Sequence, residues 1–352
     1  MEAPRHVARR LGVSEHAVQL CRDSDLIDLH VDTFIPPRLW GYDPLVRHRG
    51  GPLGRHFFGH LDLYRMADGG VTGAMWSITT NPFRSARGRW TTFGKNLRGF
   101  QALVARSKGH LQFVTNGREY DEARARGAQA VMLSIQGGNA LDGAPQGIFS
   151  TPTGLITRVT VVHLTNSSLG ATNAPFQYLR RDKGLSRSGR ELVESLDEAR
   201  VFVDLAHIHE RGFWDAAEVH DPSLPLIATH AGVDGVRPHW RNLSDKQIKA
   251  IADSGGVVGI IFSTAFLSRS GGPRDGRMIV EHMEHVLNVG GEGVAAVGSD
   301  YDGAISPPFD MGGGETYPRL VQHMLDAGWS EDRIRGVLGL NYLASFRALR
   351  PG

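Results

Sequence analysis

Apolar positions in this chain fall into short unbroken runs separated by longer stretches with helical spacing. The first run is Leu26-Ile27-Asp28-Leu29-His30-Val31-Asp32. Others span Gly70 to Ile78, Ala128 to Ile135, Arg158 to Leu164, Val201 to Leu205, Leu224 to Ala228, Val257 to Phe262 and Val294 to Gly298. Apolar runs with little alternation fit strands buried on both faces, as in parallel sheets. Between them, Leu192, Val193, Leu196 and Ala199 mark a helical face, and Ser244-Asp245-Lys246-Gln247 has the form of a capping box opening a helix that stops at Gly255-Gly256. Further helices are expected near 94–107, over 277–289 and from a cap at Ser330. Eight strands alternating with helices predict an α/β fold, a parallel (β/α)8 barrel.

Residues 4–23 read as one helix packed outside the main fold, making 1–24 an N-terminal extension. Residues 38–60 are irregular and carry Trp40, Tyr42, Phe57 and Phe58, so they are expected to form an active-site loop. No linker or low-complexity tract divides the chain, and 1–352 is read as a single domain.

Composition narrows the picture. At 352 residues and 41% hydrophobic, the chain can bury a sizeable core. Lys plus Arg (39) nearly balances Asp plus Glu (37), so no global field points to nucleic acid or an anionic membrane. No basic stripe interleaved with aromatics is present. The single cysteine, Cys21, excludes an internal disulfide, and the N-terminus lacks the apolar core of a secretory signal. A cytoplasmic protein is expected, with no nucleic-acid or membrane partner, its oligomeric state open and a homodimer among the options.

The chemistry lies at the strand ends. Residues two apart on a strand share a face, so His30 and Asp32 project together. His207 follows the fifth run, His230 the sixth and Asp300 the eighth, while Gln136 and Asn166 follow the third and fourth. Any one of these histidines reads most simply as hydrogen-bonded structure. Jointly, two histidines, a His-x-Asp pair and a closing Asp make the ligand set of a divalent-metal hydrolase.

His30-Val-Asp32, Asp68-Gly-Gly-Val-Thr-Gly-Ala-Met-Trp76-Ser77, Ser134-Ile-Gln136-Gly-Gly138 and Leu164-Thr-Asn166 resemble motifs of the renal (membrane) dipeptidase family of zinc metallopeptidases. So do Val203-Asp-Leu-Ala-His207, Pro225-Leu-Ile-Ala-Thr-His230, Gly298-Ser-Asp300-Tyr-Asp302-Gly303 and Gly339-Leu-Asn341, in the family's order. The resemblance implies a two-zinc barrel that hydrolyses dipeptides. It implies that His30 and Asp32 bind one metal and that His207 and His230 bind the other. Asp300 would contact the first and act as general acid/base, and Arg241 would grip the substrate carboxylate. An arginine suits that task because its planar fork donates two parallel hydrogen bonds; a surface ion pair is the plainer reading of the same residue.

Two positions depart from the family. Gln136 stands where a glutamate would bridge the metals, and a neutral amide should weaken the second site. Hence at most one tight metal is expected, favoured at His30, Asp32 and Asp300, and Gln136→Glu is expected to raise occupancy. Asn166 stands where the resemblance calls for a carbonyl-polarising histidine. His163, three residues earlier, is expected on the opposite side of the strand. Besides dipeptide hydrolysis, two readings remain: a biosynthetic tailoring enzyme acting on a modified peptide or small amide, or a catalytically weak binding protein.

Overall fold

The computed structural model describes residues 3–48, 57–174 and 183–352. Its strands are β1 (Ile27–Val31), β2 (Gly73–Thr79), β3 (Leu111–Phe113), β4 (Gln129–Gln136), β5 (Ile156–Thr160), β6 (Phe202–Asp204), β7 (Ala228–Ala231), β8 (Val258–Ile260) and β9 (Ala295–Val297). Every strand pairing is parallel, and helices connect most of the strands, as expected for an α/β fold. Strands β1, β2, β4, β5 and β6 follow one another across one sheet, and β7, β8 and β9 form a second.

Backbone hydrogen bonds stitch the sheets at two seams. At one, Leu205 N donates to Ile227 O (2.8 Å) and Ile227 N to Val203 O (3.2 Å). At the other, Asp32 N donates to Tyr301 O (2.9 Å) and Asp300 N to His30 O (3.0 Å). The short β3 pairs with the first residues of β4, on the edge that β5 takes further along.

The core lies on both faces of the strands. The helix Ala86–Arg106, capped by Ser85, lays Phe93, Leu97 and Phe100 against the sheet, where Phe100 meets Trp76 edge-on at 5.6 Å. The capping box at Ser244 and Gln247 opens Asp245–Asp253 as expected, and Arg277–Gly290 and the helix after Ser330 also form.

Three local expectations change. Residues 4–23 form two helices, Pro4–Leu11 and Glu15–Asp23, broken at Gly12 (φ 69°) and restarted by Ser14, whose hydroxyl accepts from Ala17 N. The second is no external appendage: Ala17, Leu20 and Cys21 are buried in the main core. The expected loop from 38 begins inside a short helix, Ile35–Trp40, while 49–56 lie outside the described residues. The strand expected at 224–228 forms at Ala228–Ala231, which places His230 within it.

The second sheet is drawn in tightly at two glycines. The Cα atoms of Gly259 and Gly298 face each other beside Thr229 O, and a Cβ on Gly298 would sit 1.8 Å from that carbonyl and 3.2 Å from Gly259 Cα. Backbone cannot yield as a flexible side chain would, so Gly298→Ala should destabilise the protein by about 3 kcal/mol, the upper part of the overpacking range. Urea unfolding measures it; an unchanged midpoint would mean that close approach does not require the glycine.

Candidate active site

Side chains from the C-terminal strand ends converge on one buried polar cluster. Strand alternation brings Asp28, His30 and Asp32 onto one face of β1. From β2 come Ser77 and Thr79, from β4 Ser134 and Gln136, from β5 Arg158 and Thr160, and from β6 Asp204. His207 follows β6, His230 lies in β7 and Asp300 follows β9. His207 and Asp300 hold left-handed backbone (φ 66° and 62°), uncommon for residues other than glycine and concentrated at functional sites.

His30 sits at the centre. Its Nε2 is 3.8 Å from Asp32 Oδ1 and 3.6 Å from Asp300 Oδ1, and its ring stacks on His230 with centroids 3.8 Å apart. His207 Nε2 and His230 Nε2 are 2.8 Å apart. Ligand atoms of His30, His230 and Asp300 all lie within 4.8 Å of one another. Gln136 stands where the resemblance calls for a bridging glutamate; the orientation that satisfies its hydrogen bonds turns its amide nitrogen to Asp32 (3.0 and 3.1 Å) and Thr79 Oγ1 (2.8 Å), and its oxygen to His30 Nε2 (3.0 Å) and His163 Nε2 (3.2 Å). The reverse orientation would set the amide oxygen against the Asp32 carboxylate.

Burial shapes the charges. It pushes Asp32 up to about 6 and Asp300 well above the usual carboxylate range, the Asp32 charge adding to the Asp300 shift. It also pushes His30, His207 and His230 well below their ordinary value, so these imidazoles are neutral.

The structure places Asn166 and His163 on the sides opposite to those expected of them. Asn166 is absent from the cavity lining; its side-chain oxygen accepts from Thr172 N (3.1 Å) and fixes a turn. His163 lines the cavity, beside Gln136 and edge-on to His207 at 4.7 Å, with its pKa pushed down to about 3 by burial. Alternation failed because β5 ends at Thr160: Leu164 turns left-handed (φ 50°) and Thr165 N bonds back to His163 O.

Sequence reasoning also missed three buried charges. Asp28 accepts from Ser299 N (2.9 Å), His30 N (3.1 Å) and the Tyr317 hydroxyl, tying β1 to β9. Arg158 and Asp204 form a fully buried pair at 3.0 Å. Their signal was present: ionisable residues inside strands buried on both faces need partners in the interior.

Above the cluster opens a cavity of about 700 Å³. Asp32, Gln136, His163, His207, Arg241 and Asp300 form its polar floor, and Ile35, Phe57, Phe58, Leu164 and Phe266 are among its apolar walls. Arg241 is buried, and one guanidinium nitrogen donates to His230 O at 2.6 Å. Among the described residues no carboxylate comes within ion-pair distance of it. Burial pushes its pKa down to about 10 against the raising effect of the Asp300 charge, which leaves it charged near neutrality.

The chemistry of the donors tests whether a cation fits. Thr229 Oγ1 donates to Asp204 Oδ2 (2.8 Å), so at 2.9 Å it must accept from His230 Nδ1–H. His230 therefore presents a bare Nε2 to the cluster, the form that ligates metal, with its proton held by a partner behind. His207 lies beside it and Asp300 within reach. This side of the cluster suits a divalent ion.

Parallel strands that gather imidazoles and carboxylates where they end define a class, the α/β proteins with a metal-binding pocket at the strand termini. Within that class the chain belongs to the membrane dipeptidase family (peptidase family M19), whose pattern it matches over residues 14–350. It is 31% identical over 247 residues to an uncharacterized protein in the pqqA 5' region of Klebsiella pneumoniae, covering 68% of this chain and 90% of that protein. Its fold is similar to a Rhodobacter sphaeroides metallopeptidase solved with a phosphinate mimic of L-Ala-D-Ala (TM-score 0.80, 24% identity, 93% and 99% of the two chains). It is also similar to the probable dipeptidase PvdM of Pseudomonas aeruginosa (TM-score 0.82, 16% identity, 99% of both chains). No helix among the described residues is long and apolar enough to cross a membrane.

Proposed function

We propose that this protein is a metal-dependent hydrolase of the dipeptidase type, cleaving a dipeptide or a related small amide. The two hydrogen-bonded seams are read as closing the sheets into one eight-stranded barrel, with β3 outside it. The observation that carries the functional reading is the buried Arg241 guanidinium, which has no carboxylate partner among the described residues and shares the cavity floor with Asp300 and the histidines. A buried guanidinium without an ion-pair partner is costly, and a substrate carboxylate would complete it with paired, charge-assisted hydrogen bonds.

His207 and His230, with Asp300 beside them, would hold a divalent cation, zinc by family resemblance. When bound, such an ion supplies Lewis acidity, lowering the pKa of water and polarising a carbonyl oxygen. The chain's own residues do the rest. Arg241 fixes the C-terminal end of the substrate. Asp300, its affinity for protons raised by burial, takes the proton from the attacking water and returns it to the leaving amine. The apolar walls favour apolar side chains and exclude bulk water.

The test is hydrolysis of a dipeptide panel by zinc-loaded protein, before and after chelation. Turnover that chelation abolishes and zinc restores is the expected result. A loaded protein inert on the whole panel would sink the reading.

A further inference from the structure

The two central histidines of the cluster face opposite partners from behind. His230 Nδ1 meets an oxygen that can only accept from it, because the Thr229 proton is spent on Asp204. His30 Nδ1 meets Arg158, whose guanidinium nitrogen lies 2.9 Å away. A guanidinium has donors and no acceptor and stays protonated in proteins, so His30 Nδ1 must be the bare nitrogen and Nε2 must carry the proton. Gln136 fixes the same proton from the other side. Its nitrogen is committed to Asp32, so the oxygen 3.0 Å from His30 Nε2 accepts from it. A protonated Nε2 has no lone pair to offer a metal. His207 Nε2 also carries a proton, donated to the bare His230 Nε2, but among the described residues no hydrogen bond holds its Nδ1, so that proton can move there and free Nε2, a shift that Arg158 forbids in His30.

Arg158 cannot swing away. It is fully buried, bonded through one nitrogen to Thr160 Oγ1 and Asp204 and through the other to His30 and Ser77 Oγ (3.0 Å). Asp204 is itself anchored by Ala206 N (3.1 Å), Thr229 N (3.0 Å) and the Thr160 and Thr229 hydroxyls. A fixed positive charge behind His30 also opposes a dication in front of it.

From this geometry we infer that His30 is a hydrogen-bond donor and not a metal ligand, that Arg158 is the positioning residue that makes it so, and that the cluster holds a single divalent ion on the His207–His230 side. The inference deepens the dipeptidase reading and rests on it for the ion. It relocates the tighter site expected from His30, Asp32 and Asp300, and it makes Gln136 only half of the reason for a single ion.

Two measurements decide it. In metal-free protein with 15N-labelled histidine, long-range 1H–15N correlation reads each tautomer, with His30 assigned by its loss in His30→Gln. His30 should be protonated at Nε2 and His230 at Nδ1; the opposite tautomer at His30 overturns the inference. Zinc retained after exhaustive dialysis should be one per chain in the unmodified protein. It should stay at one in His30→Gln, because an amide can accept from Arg158 and donate to Gln136 as the imidazole does, and should fall at least tenfold in His230→Gln. Gln136→Glu alone should remain at one, and Gln136→Glu with Arg158→Met should rise to two. Loss of zinc in His30→Gln, or two zincs in Gln136→Glu alone, overturns the inference. Arg158→Met leaves Asp204 buried without its cation and can fail to fold, but the tautomer and His30→Gln results stand without it. Protein that binds no zinc in any form would refute the dipeptidase reading, while the tautomer would still decide the role of His30.

Discussion

Asp300→Asn should fold like the parent and turn over substrate at least about a hundredfold more slowly, the scale of a positioned acid/base. The carboxylate is nearly buried at the cavity floor, 3.6 Å from His30 Nε2, and burial together with Asp32 raises its hold on a proton. An amide copies its shape and cannot shuttle that proton. The backbone duties of residue 300 survive the change: its N–H still reaches His30 O, its carbonyl still accepts from Gly303 N, and asparagine tolerates left-handed backbone. Turnover and thermal unfolding measured together settle the role. Near-parental turnover removes Asp300 from the chemistry, and a lowered melting temperature would make it structural.

Arg241→Lys should lower kcat/KM for free dipeptides by about 10- to 100-fold, the 1.5–3 kcal/mol expected of a hydrogen bond to a charged group. The same change should leave C-terminally amidated analogues within about threefold of their parental values. Lysine keeps the charge and loses the planar pair of donors, so the difference between the two substrate series isolates recognition of a carboxylate. Equal losses in both series would show that Arg241 serves the structure through its bond to His230 O.

Much of the fold was legible because parallel strands are apolar on both faces and helices announce themselves by capping, as Ser244 and Gln247 did. What escaped was short or interrupted. The three residues of β3 are too few to show a pattern, and Gly12 split a stretch whose apolar spacing reads as continuous. Within the site, His30, Asp32, Gln136, His207, His230, Arg241 and Asp300 are brought to one place, as their positions at the strand ends indicated. Asn166 and His163 were misplaced because alternation was carried past the point where β5 stops being extended. Arg158 lies within a strand and away from its end; a charge opening the apolar run Arg158-Val-Thr-Val-Val162 signals a buried network as plainly as a terminal histidine signals a ligand.

The seam between β1 and β9 has a consequence in time. Asp28 and Ser299 are hydrogen-bonded across 271 positions of sequence, and His30 O receives Asp300 N beside them. During synthesis the Asp28 carboxylate of the N-terminal strand therefore waits for Ser299 and Tyr317, 271 and 289 positions later. Contacts so distant in sequence close slowly, and an unfinished chain exposes strand edges that invite aggregation. The pocket is therefore among the last features of the molecule to exist, because its floor includes Asp300, which follows β9.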